Sequence, residues 1–145
     1  MMATISKTYG KLLAVLLSWL GFSAILSSCT KYGDPVATFK AKGVVVSQTD
    51  DTPIEGIRAV FKAEPDATWG MDTVYTDSKG VFNLKGFGYS NKLYVELTDI
   101  DGEKNGSFDN KDVEADFSHV KFKGNGQESG EVEKDLEIIK LTPKE

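Results

Sequence analysis

Reactive side chains are scarce in this chain of 145 residues, which has one cysteine, Cys29, and one histidine, His119. A single cysteine excludes an internal disulfide, and one cysteine with one histidine is too few to form a zinc-thiolate site. A lone histidine near a predicted strand is more typical of packing or of the surface than of a general base. The sequence has no serine–histidine–aspartate pattern and no phosphate-binding glycine loop. It therefore predicts a protein that is not an enzyme, with no catalytic residues.

Acidic residues are absent from the first 28 positions, although the whole chain carries 22 of them. The only charges there are Lys7 and Lys11, which precede an uncharged run from Leu12 to Thr30. A basic start followed by an apolar stretch is typical of an export signal. The alternative is a transmembrane anchor, because the run nearly reaches the roughly 20 residues that cross a bilayer. Serine and glycine dilute the end of the run, which favours a cleaved signal peptide over residues 1–28.

The export signal ends in Leu26-Ser27-Ser28-Cys29, which resembles the lipobox of bacterial lipoproteins. The resemblance implies that residues 1–28 are removed and that Cys29 becomes the lipidated N-terminus, carrying a diacylglyceryl group and acyl chains such as palmitate. Two or three chains hold a protein on a membrane almost permanently, since each buried CH₂ contributes about 0.8 kcal/mol. Thr30 stands where many lipoproteins retained at the inner membrane have aspartate, so we expect a lipid-anchored protein of the cell envelope at the outer membrane.

The mature chain is more acidic than the precursor. Loss of residues 1–28 removes two of the 17 basic residues and none of the 22 acidic ones, so the formal charge changes from −5 to −7. An excess of carboxylates repels phosphate groups, and the sequence therefore predicts no nucleic-acid partner. The expected partners are the membrane, through the lipid anchor, and an envelope protein or a glycan.

Alternation of apolar and polar residues dominates the mature chain and predicts β-strands. Ile57–Lys62 and Leu93–Thr98 alternate most regularly, and each is predicted to point three apolar side chains inwards. Val132–Leu141 also fits helical spacing, and its context favours a strand. The other predicted strands are Val36–Val46, Thr73–Thr76, Val81–Leu84 and Val113–Phe122. We therefore expect an N-terminal signal helix, a lipidated tether over residues 29–36, and a single all-β domain over 37–142, a seven-stranded antiparallel β-sandwich of immunoglobulin or transthyretin type.

Two glycine-containing segments are predicted to be turns. Asp77–Gly80 suits a hairpin between the third and fourth strands, because aspartate caps a turn and glycine accepts the left-handed backbone that closes it. Gly86-Phe87-Gly88 is predicted to be a turn at a strand end and not a nucleotide-binding loop.

Three segments, Gly43–Val46, Pro53–Ala59 and Thr76–Leu84, resemble the carboxypeptidase-regulatory-like, or transthyretin-like, β-sandwich. The resemblance implies a proline-containing turn between the first two strands and an Asp-x-x-Gly-x-Phe hairpin later. The whole mature chain, with Tyr32–Pro35 and Asp99–Gly106, is similar to small lipoproteins encoded beside radical-SAM enzymes, a family without an established activity. This second resemblance implies an alternative function, as substrate or accessory protein of a radical-SAM maturation system.

The densest polar cluster of the sequence lies between Asp99 and Asp112. Calcium takes six to eight oxygen ligands, and Gly102 and Gly106 would allow the loop to turn sharply around an ion. The candidate ligands are Asp99, Asp101, Glu103, Asn105 and Asp109. The spacing differs from that of an EF-hand, because Asn110 stands where the twelfth-position glutamate belongs. The alternatives are a solvated acidic loop and, as a third hypothesis for function, a hydrolase that uses two of these carboxylates.

Trp69, in a loop before the third strand, and Tyr75 are the candidate binding residues, with Tyr89 as a further aromatic. Loop aromatics on a rigid scaffold commonly contact ligands such as sugars or aromatic groups. The alternative for Trp69 is packing over the open end of its own sandwich. The leading hypothesis is a membrane-anchored, non-catalytic binding or accessory module, with calcium as the one cofactor that the sequence suggests.

Overall fold

The computed structural model describes residues 10, 11, 14, 15, 36–124 and 129–145. The chain divides into two units, Met1–Asp34 and Pro35–Glu145. In the first unit, Gly10, Lys11, Ala14 and Val15 are helical, and the rest of the predicted signal helix lies outside the described residues, as does Cys29. Among the described residues, no helix has the length and apolar character needed to cross a membrane.

The described part of the second unit is all-β and forms a sandwich of two sheets. Its seven strands are β1 (Ala37–Ser47), β2 (Ile57–Lys62), β3 (Asp72–Tyr75), β4 (Val81–Gly88), β5 (Lys92–Asp99), β6 (Lys111–Asp116) and β7 (Glu131–Leu141). The first sheet has the order β4-β1-β7, and the second has the order β3-β2-β5-β6. Edge strands β3 and β4 contact each other on one side of the sandwich, and β6 contacts β7 on the other side.

The core lies between the two sheets and is filled from one face of each strand. The predicted inward faces of β2 and β5 are confirmed, since Ile57, Ala59, Phe61, Leu93, Val95 and Leu97 are each at most 1% exposed. Burying a side chain of leucine or phenylalanine size contributes about 1.5–3 kcal/mol. Phe39 of β1 also packs edge-on against Phe117, with ring centres 5.0 Å apart. These contacts fix the outward side chains of the same strands on a rigid surface.

The prediction of a wholly antiparallel sandwich is wrong for one pair of strands. β1 and β7 run parallel, with Thr38 opposite Glu131 and Ser47 opposite Leu141. Parallel neighbours need a long crossover connection, and strands β2 to β6 together supply it. The register shifts between Lys42 and Val44, opposite a bulge at which Glu137 has a φ of 59°.

The Asp77–Gly80 turn forms with the predicted chemistry, but it does not make a hairpin. The Asp77 carboxylate accepts hydrogen bonds from the backbone N–H groups of Lys79 and Val81, both at 2.9 Å, and Gly80 has a φ of 73°. However, β3 pairs with β2, and β4 pairs with β1. The turn therefore carries the chain from one sheet to the other, because both strands find their backbone partners elsewhere.

Two predicted strand ends also differ from the structure. Gly86-Phe87-Gly88 belongs to β4, where Gly86 pairs with Phe39 of β1. Position 86 is glycine within a strand because Phe61 and Met71 fill the space that a Cβ would need. The strand predicted over Val113–Phe122 starts at Lys111 and ends at Asp116. There the Asp116 carboxylate accepts a hydrogen bond from the Ser118 N–H at 2.8 Å, which turns the chain. Hydrogen bonds from the side chain and then the backbone of Ser118 lower the pKa of Asp116. His119 lies exposed in that turn.

Candidate functional site

The exposed aromatic side chains of the described residues all fall between positions 69 and 89. They are Trp69 (66% exposed), Tyr75 (56%), Phe87 (56%) and Tyr89 (70%). β3 and β4 are edge strands of different sheets that contact each other, so these residues all border one side of the sandwich. Within it, Tyr75 faces outwards from the second sheet and Phe87 faces outwards from the first. We call this side, formed by β3, β4 and their flanking residues 69–71 and 89, the aromatic edge.

Two contacts hold the strands of the aromatic edge together. The Asp72 carboxylate accepts hydrogen bonds from the backbone N–H of Thr73 and, across the sheets, from that of Lys85, both at 2.9 Å. Next to them, the Met71 side chain lies 2.9 Å from the position that a Cβ on Gly86 would take. Residues 71 to 69, before β3, and residues 86 to 89, at the end of β4, extend away from these contacts towards the same end of the sandwich. Those three aromatics therefore share one end of the edge, and Tyr75 lies towards the other end.

Trp69 does not pack over the end of its own sandwich, since two thirds of its side chain is exposed. The backbone of the next residue covers the sheet instead. A Cβ on Gly70 would come within 2.3 Å of Val60 Cγ1, so only glycine lets the loop lie this close to the outer face of β2. The loop thus holds Trp69 outwards, and its role in binding stays a prediction.

Tyr75 stands beside a charged group on the outer face of the second sheet. It lies opposite Arg58 of β2, whose Nη2 is 3.8 Å from a carboxylate oxygen of Glu96 on β5. Lys62 forms an ion pair with the same carboxylate. The Nε atom of Arg58 is buried and has no hydrogen-bond partner among the described residues. Arg58, at the Tyr75 end of β2, and Lys62, at the Asp72 end, therefore share one acid between them.

A pocket of about 310 Å³ lies on the outer face of the first sheet, between β1 and β4. Its lining side chains on this face are Lys40, Lys42, Asn83, Lys85 and Glu133. The sequence does show charged residues at every second position, Lys40 and Lys42 on β1 and Glu133 and Asp135 on β7. The pocket itself cannot be predicted from the sequence, because its lining comes from three strands that are distant along the chain.

The lysines of this pocket differ in their partners. Lys40 pairs with Glu131 at 2.8 Å, and Lys42 pairs with Glu133 at 2.9 Å. The hydrogen bond between Lys42 and Glu133 raises the pKa of the lysine and lowers the pKa of the glutamate. Lys85 has no carboxylate within ion-pair distance among the described residues, and its Nζ lies 5.4 Å from the centre of the Phe87 ring.

Three of the five predicted calcium ligands lie near one another in the loop between β5 and β6. The Asp99 carboxylate accepts hydrogen bonds from the backbone N–H groups of Asp101, at 3.4 Å, and Phe108, at 2.9 Å. The Asn105 amide donates to the Asp101 carboxylate at 3.4 Å and to the Glu55 carbonyl at 3.5 Å. Partial burial and the neighbouring Asp99 carboxyl raise the pKa of Asp101 above its usual value.

The other two predicted ligands do not join this group. The side chains of Glu103 and Asp109 are exposed and make no hydrogen bond or ion pair with the described residues. Across the described ranges, no group of three or more acidic, histidine or cysteine side chains is arranged to hold a metal ion. Calcium binding stays a prediction that needs a direct measurement.

Comparison with known proteins yields no family. No family model matches the chain, and no curated protein matches it. Among solved structures, the group B streptococcus pilus 2b backbone protein shares 9% identity at a TM-score of 0.44, over 72% of this chain and 40% of its own length. The BcpA pilin of Bacillus cereus shares 16% identity at 0.43, over 74% and 31%. A 3-chlorocatechol 1,2-dioxygenase from Rhodococcus opacus 1CP shares 9% identity at 0.46, over 79% and 63%.

This chain therefore spans less than half of each pilin and just under two thirds of the dioxygenase. With TM-scores below 0.5, these likenesses carry no argument about what the chain binds or catalyses. The β-sandwich rests on the strands and pairings of the chain itself.

Proposed function

We propose that this chain is a lipid-anchored lipoprotein of the cell envelope that presents its β-sandwich as a non-catalytic binding module. The observation that carries the proposal is the order of features along the chain. Two lysines, an uncharged run and Leu26-Ser27-Ser28-Cys29 precede a separate unit that begins at Pro35. Lipidation at Cys29 would leave this unit tethered to a membrane through only a few residues.

The aromatic edge supports the binding role. Its four aromatic side chains stand on a rigid scaffold, because β3 and β4 are each paired within a sheet and tied to each other by Asp72. Exposed tyrosine, tryptophan and phenylalanine side chains are enriched in contact surfaces, and this edge presents them on both sheets. A glycan or another envelope protein is the partner that such a surface would meet at the outer membrane.

Replacement of Cys29 by alanine tests the anchor in the full chain, produced with its own signal in a bacterium that processes lipoproteins. We expect the unmodified protein in the membrane fraction, with an intact mass of residues 29–145 plus acyl groups. Cys29→Ala should lose that lipid mass and leave the membrane fraction. The matched control is Ser28→Ala, which keeps a small residue before the cysteine and should stay anchored.

Two results would count against this proposal. A Cys29→Ala protein that stays in the membrane uncleaved would favour the transmembrane anchor considered from the sequence. An intact mass without acyl groups would exclude lipidation directly. A mass larger than signal removal and lipid explain would instead favour the radical-SAM alternative, in which the chain is a substrate for covalent modification.

A further inference from the structure

We propose that the pocket between β1 and β4, together with the Phe87 ring beside it, binds a glycan whose sugar units carry carboxylates. This inference rests on the proposed function and deepens it, because it assigns a ligand class and a site to the binding module. Three properties of the pocket carry it: its size, its charge and the aromatic ring at its end.

The size of the pocket suits a sugar unit. Its volume of about 310 Å³ is at the lower end of the range of roughly 300–1,000 Å³ found for small-molecule sites. The Asn83 amide and the Glu133 carboxylate offer hydrogen-bond donors and acceptors from opposite sides of β1. Groups of both kinds are what the hydroxyls of a sugar ring require.

The charge of the pocket selects an acid. Three of its lining side chains are lysines and one is acidic, although acids outnumber bases in the chain by 22 to 17. Lys40 and Lys42 already pair with carboxylates of β7. Lys85 is different, since its ammonium group lies near an aromatic ring and pairs with no carboxylate of the described residues. An incoming carboxylate would therefore bind Lys85 without displacing an existing ion pair.

The aromatic ring favours a glycan over an acidic peptide. Phe87 is 56% exposed and lies next to Lys85 on the same face, opposite Thr38 of β1. The Lys85 ammonium lies over part of this ring, and the C–H face of a sugar would pack on the exposed remainder beside it. The flexible side chains of an acidic peptide would use only the lysines. Tyr89, two residues beyond Phe87 and 70% exposed, would extend the platform to a second sugar unit.

The test is a titration of the full chain in detergent, followed by amide NMR shifts, with three probes. They are a trimer of galacturonic acid, the neutral trimer of galactose, and hexaglutamate as the acidic peptide. We expect the acidic trimer to bind at least about tenfold more tightly than the neutral trimer, because one charge-assisted hydrogen bond contributes about 1.5 kcal/mol or more. The shifts should centre on Asn83, Lys85 and Phe87, and the affinity should fall with added salt.

Variants assign the contacts. Lys85→Gln removes the charge and keeps a polar side chain that is one atom shorter, and it should weaken binding of the acidic trimer about tenfold. The matched control is Lys79→Gln, an exposed lysine in the turn before β4, which should bind as the unmodified protein does. Phe87→Ala should weaken binding of both trimers, and unchanged melting temperatures would show that the variants are folded.

Several outcomes would overturn the inference. Equal binding of the two trimers would remove the requirement for charge, and binding of hexaglutamate alone would replace the glycan with an acidic peptide. Shifts centred on Tyr75, or a Lys85→Gln variant that binds normally, would place the site elsewhere. A protein that is lipidated at Cys29 but binds none of the probes would overturn this inference and leave the proposed membrane anchor standing.

Discussion

The two open sides of the sandwich present different side chains. The aromatic edge exposes Trp69, Tyr75, Phe87 and Tyr89, and no exposed aromatic lies elsewhere in the described residues. On the opposite side, β6 and β7 carry the acids Asp112, Glu114, Asp116, Glu131, Glu133, Asp135 and Glu137. We call this second side the acidic edge. Both sides must avoid pairing with other chains, and they do so by different physical means.

Charge and a bulge protect the acidic edge. Edge strands with charged side chains and irregular backbone are poor templates for added strands. In the middle of β7, the Asp135 carboxylate accepts a hydrogen bond from the Glu137 N–H at 2.8 Å, where the positive φ of Glu137 bends the strand. At the aromatic edge, the Asp72 carboxylate instead accepts a hydrogen bond from the outward backbone N–H of Lys85 on β4, so this N–H is not available to an added strand. That leaves its aromatic side chains exposed, as the proposed binding role requires.

The largest expected effect comes from breaking the turn that joins β3 to β4. Gly80 has a φ of 73°, and a Cβ there would lie 2.3 Å from the Val45 carbonyl oxygen. Gly80→Ala should lower the free energy of unfolding by about 3 kcal/mol, because it combines backbone strain with a clash against main chain that cannot move freely. Chemical denaturation of the full chain measures the change.

Gly102 provides the control for this prediction. Its φ of 71° is nearly the same, but a Cβ there would meet nothing within 4 Å. Gly102→Ala should therefore lower the free energy of unfolding only through backbone strain, by about 1 kcal/mol. Equal losses from the two substitutions would mean that the contact with Val45 does not matter, and that the turn at the aromatic edge is no more constrained than the loop after β5.

A smaller effect is expected from separating the two strands of the aromatic edge. Asp72→Ala removes two hydrogen bonds and should cost about 1 kcal/mol. Hydrogen exchange of the Lys85 amide should become faster, since its N–H loses its acceptor. Asp135→Ala, the corresponding change at the acidic edge, removes a hydrogen bond within β7 and should leave exchange at Lys85 unchanged. If Lys85 exchanges at the original rate in Asp72→Ala, the link between the sheets is not what protects this edge.

Much of the fold could be predicted because its signals are local. The alternation in β2 and β5 identifies their buried faces, since a strand with one face in the core needs apolar residues at every second position. The partners of the strands could not be predicted in this way. The turn chemistry of Asp77 and Gly80 specifies a turn and says nothing about which strands pair beside it. The parallel pairing of β1 with β7 joins the two ends of the domain, and the sequence of neither strand indicates which strand it will pair with.

The candidate site divides in the same way. Trp69 and Tyr75 could be identified from residue type and a turn-rich context, and the structure exposes both. Lys85 and Phe87 could not, because the segment Gly86–Gly88 is typical of a turn until Phe61 and Met71 are placed beside Gly86. The pocket itself depends on Lys40, Asn83 and Glu133 meeting across three strands. Such a juxtaposition follows only from the sheet order.

The smallest expected effect concerns the loop at Asp99 and Asp101, where carboxyl groups crowd together. Because the folded chain raises the pKa of Asp101 above the unfolded value, its ionised form lowers stability at neutral pH. Asp101→Asn should therefore raise the melting temperature at pH 7. That gain should vanish as the pH falls below the ordinary aspartate pKa of about 3.9, where Asp101 is protonated in both states. The control is Asp66→Asn, at an exposed aspartate in another loop.

Melting temperatures measured with and without calcium test whether the loop at Asp99 and Asp101 binds an ion or is only a solvated acidic loop. An ion bound there would offset the repulsion between Asp99 and Asp101, so calcium should raise the melting temperature of the unmodified chain. The rise should be smaller with magnesium, which demands a more rigid octahedral site. In Asp101→Asn the rise with calcium should be lost, and in Asp66→Asn it should remain. No response to calcium in the unmodified chain would reject the ion site, and the acids of this loop would then act, like those of the acidic edge, through charge alone.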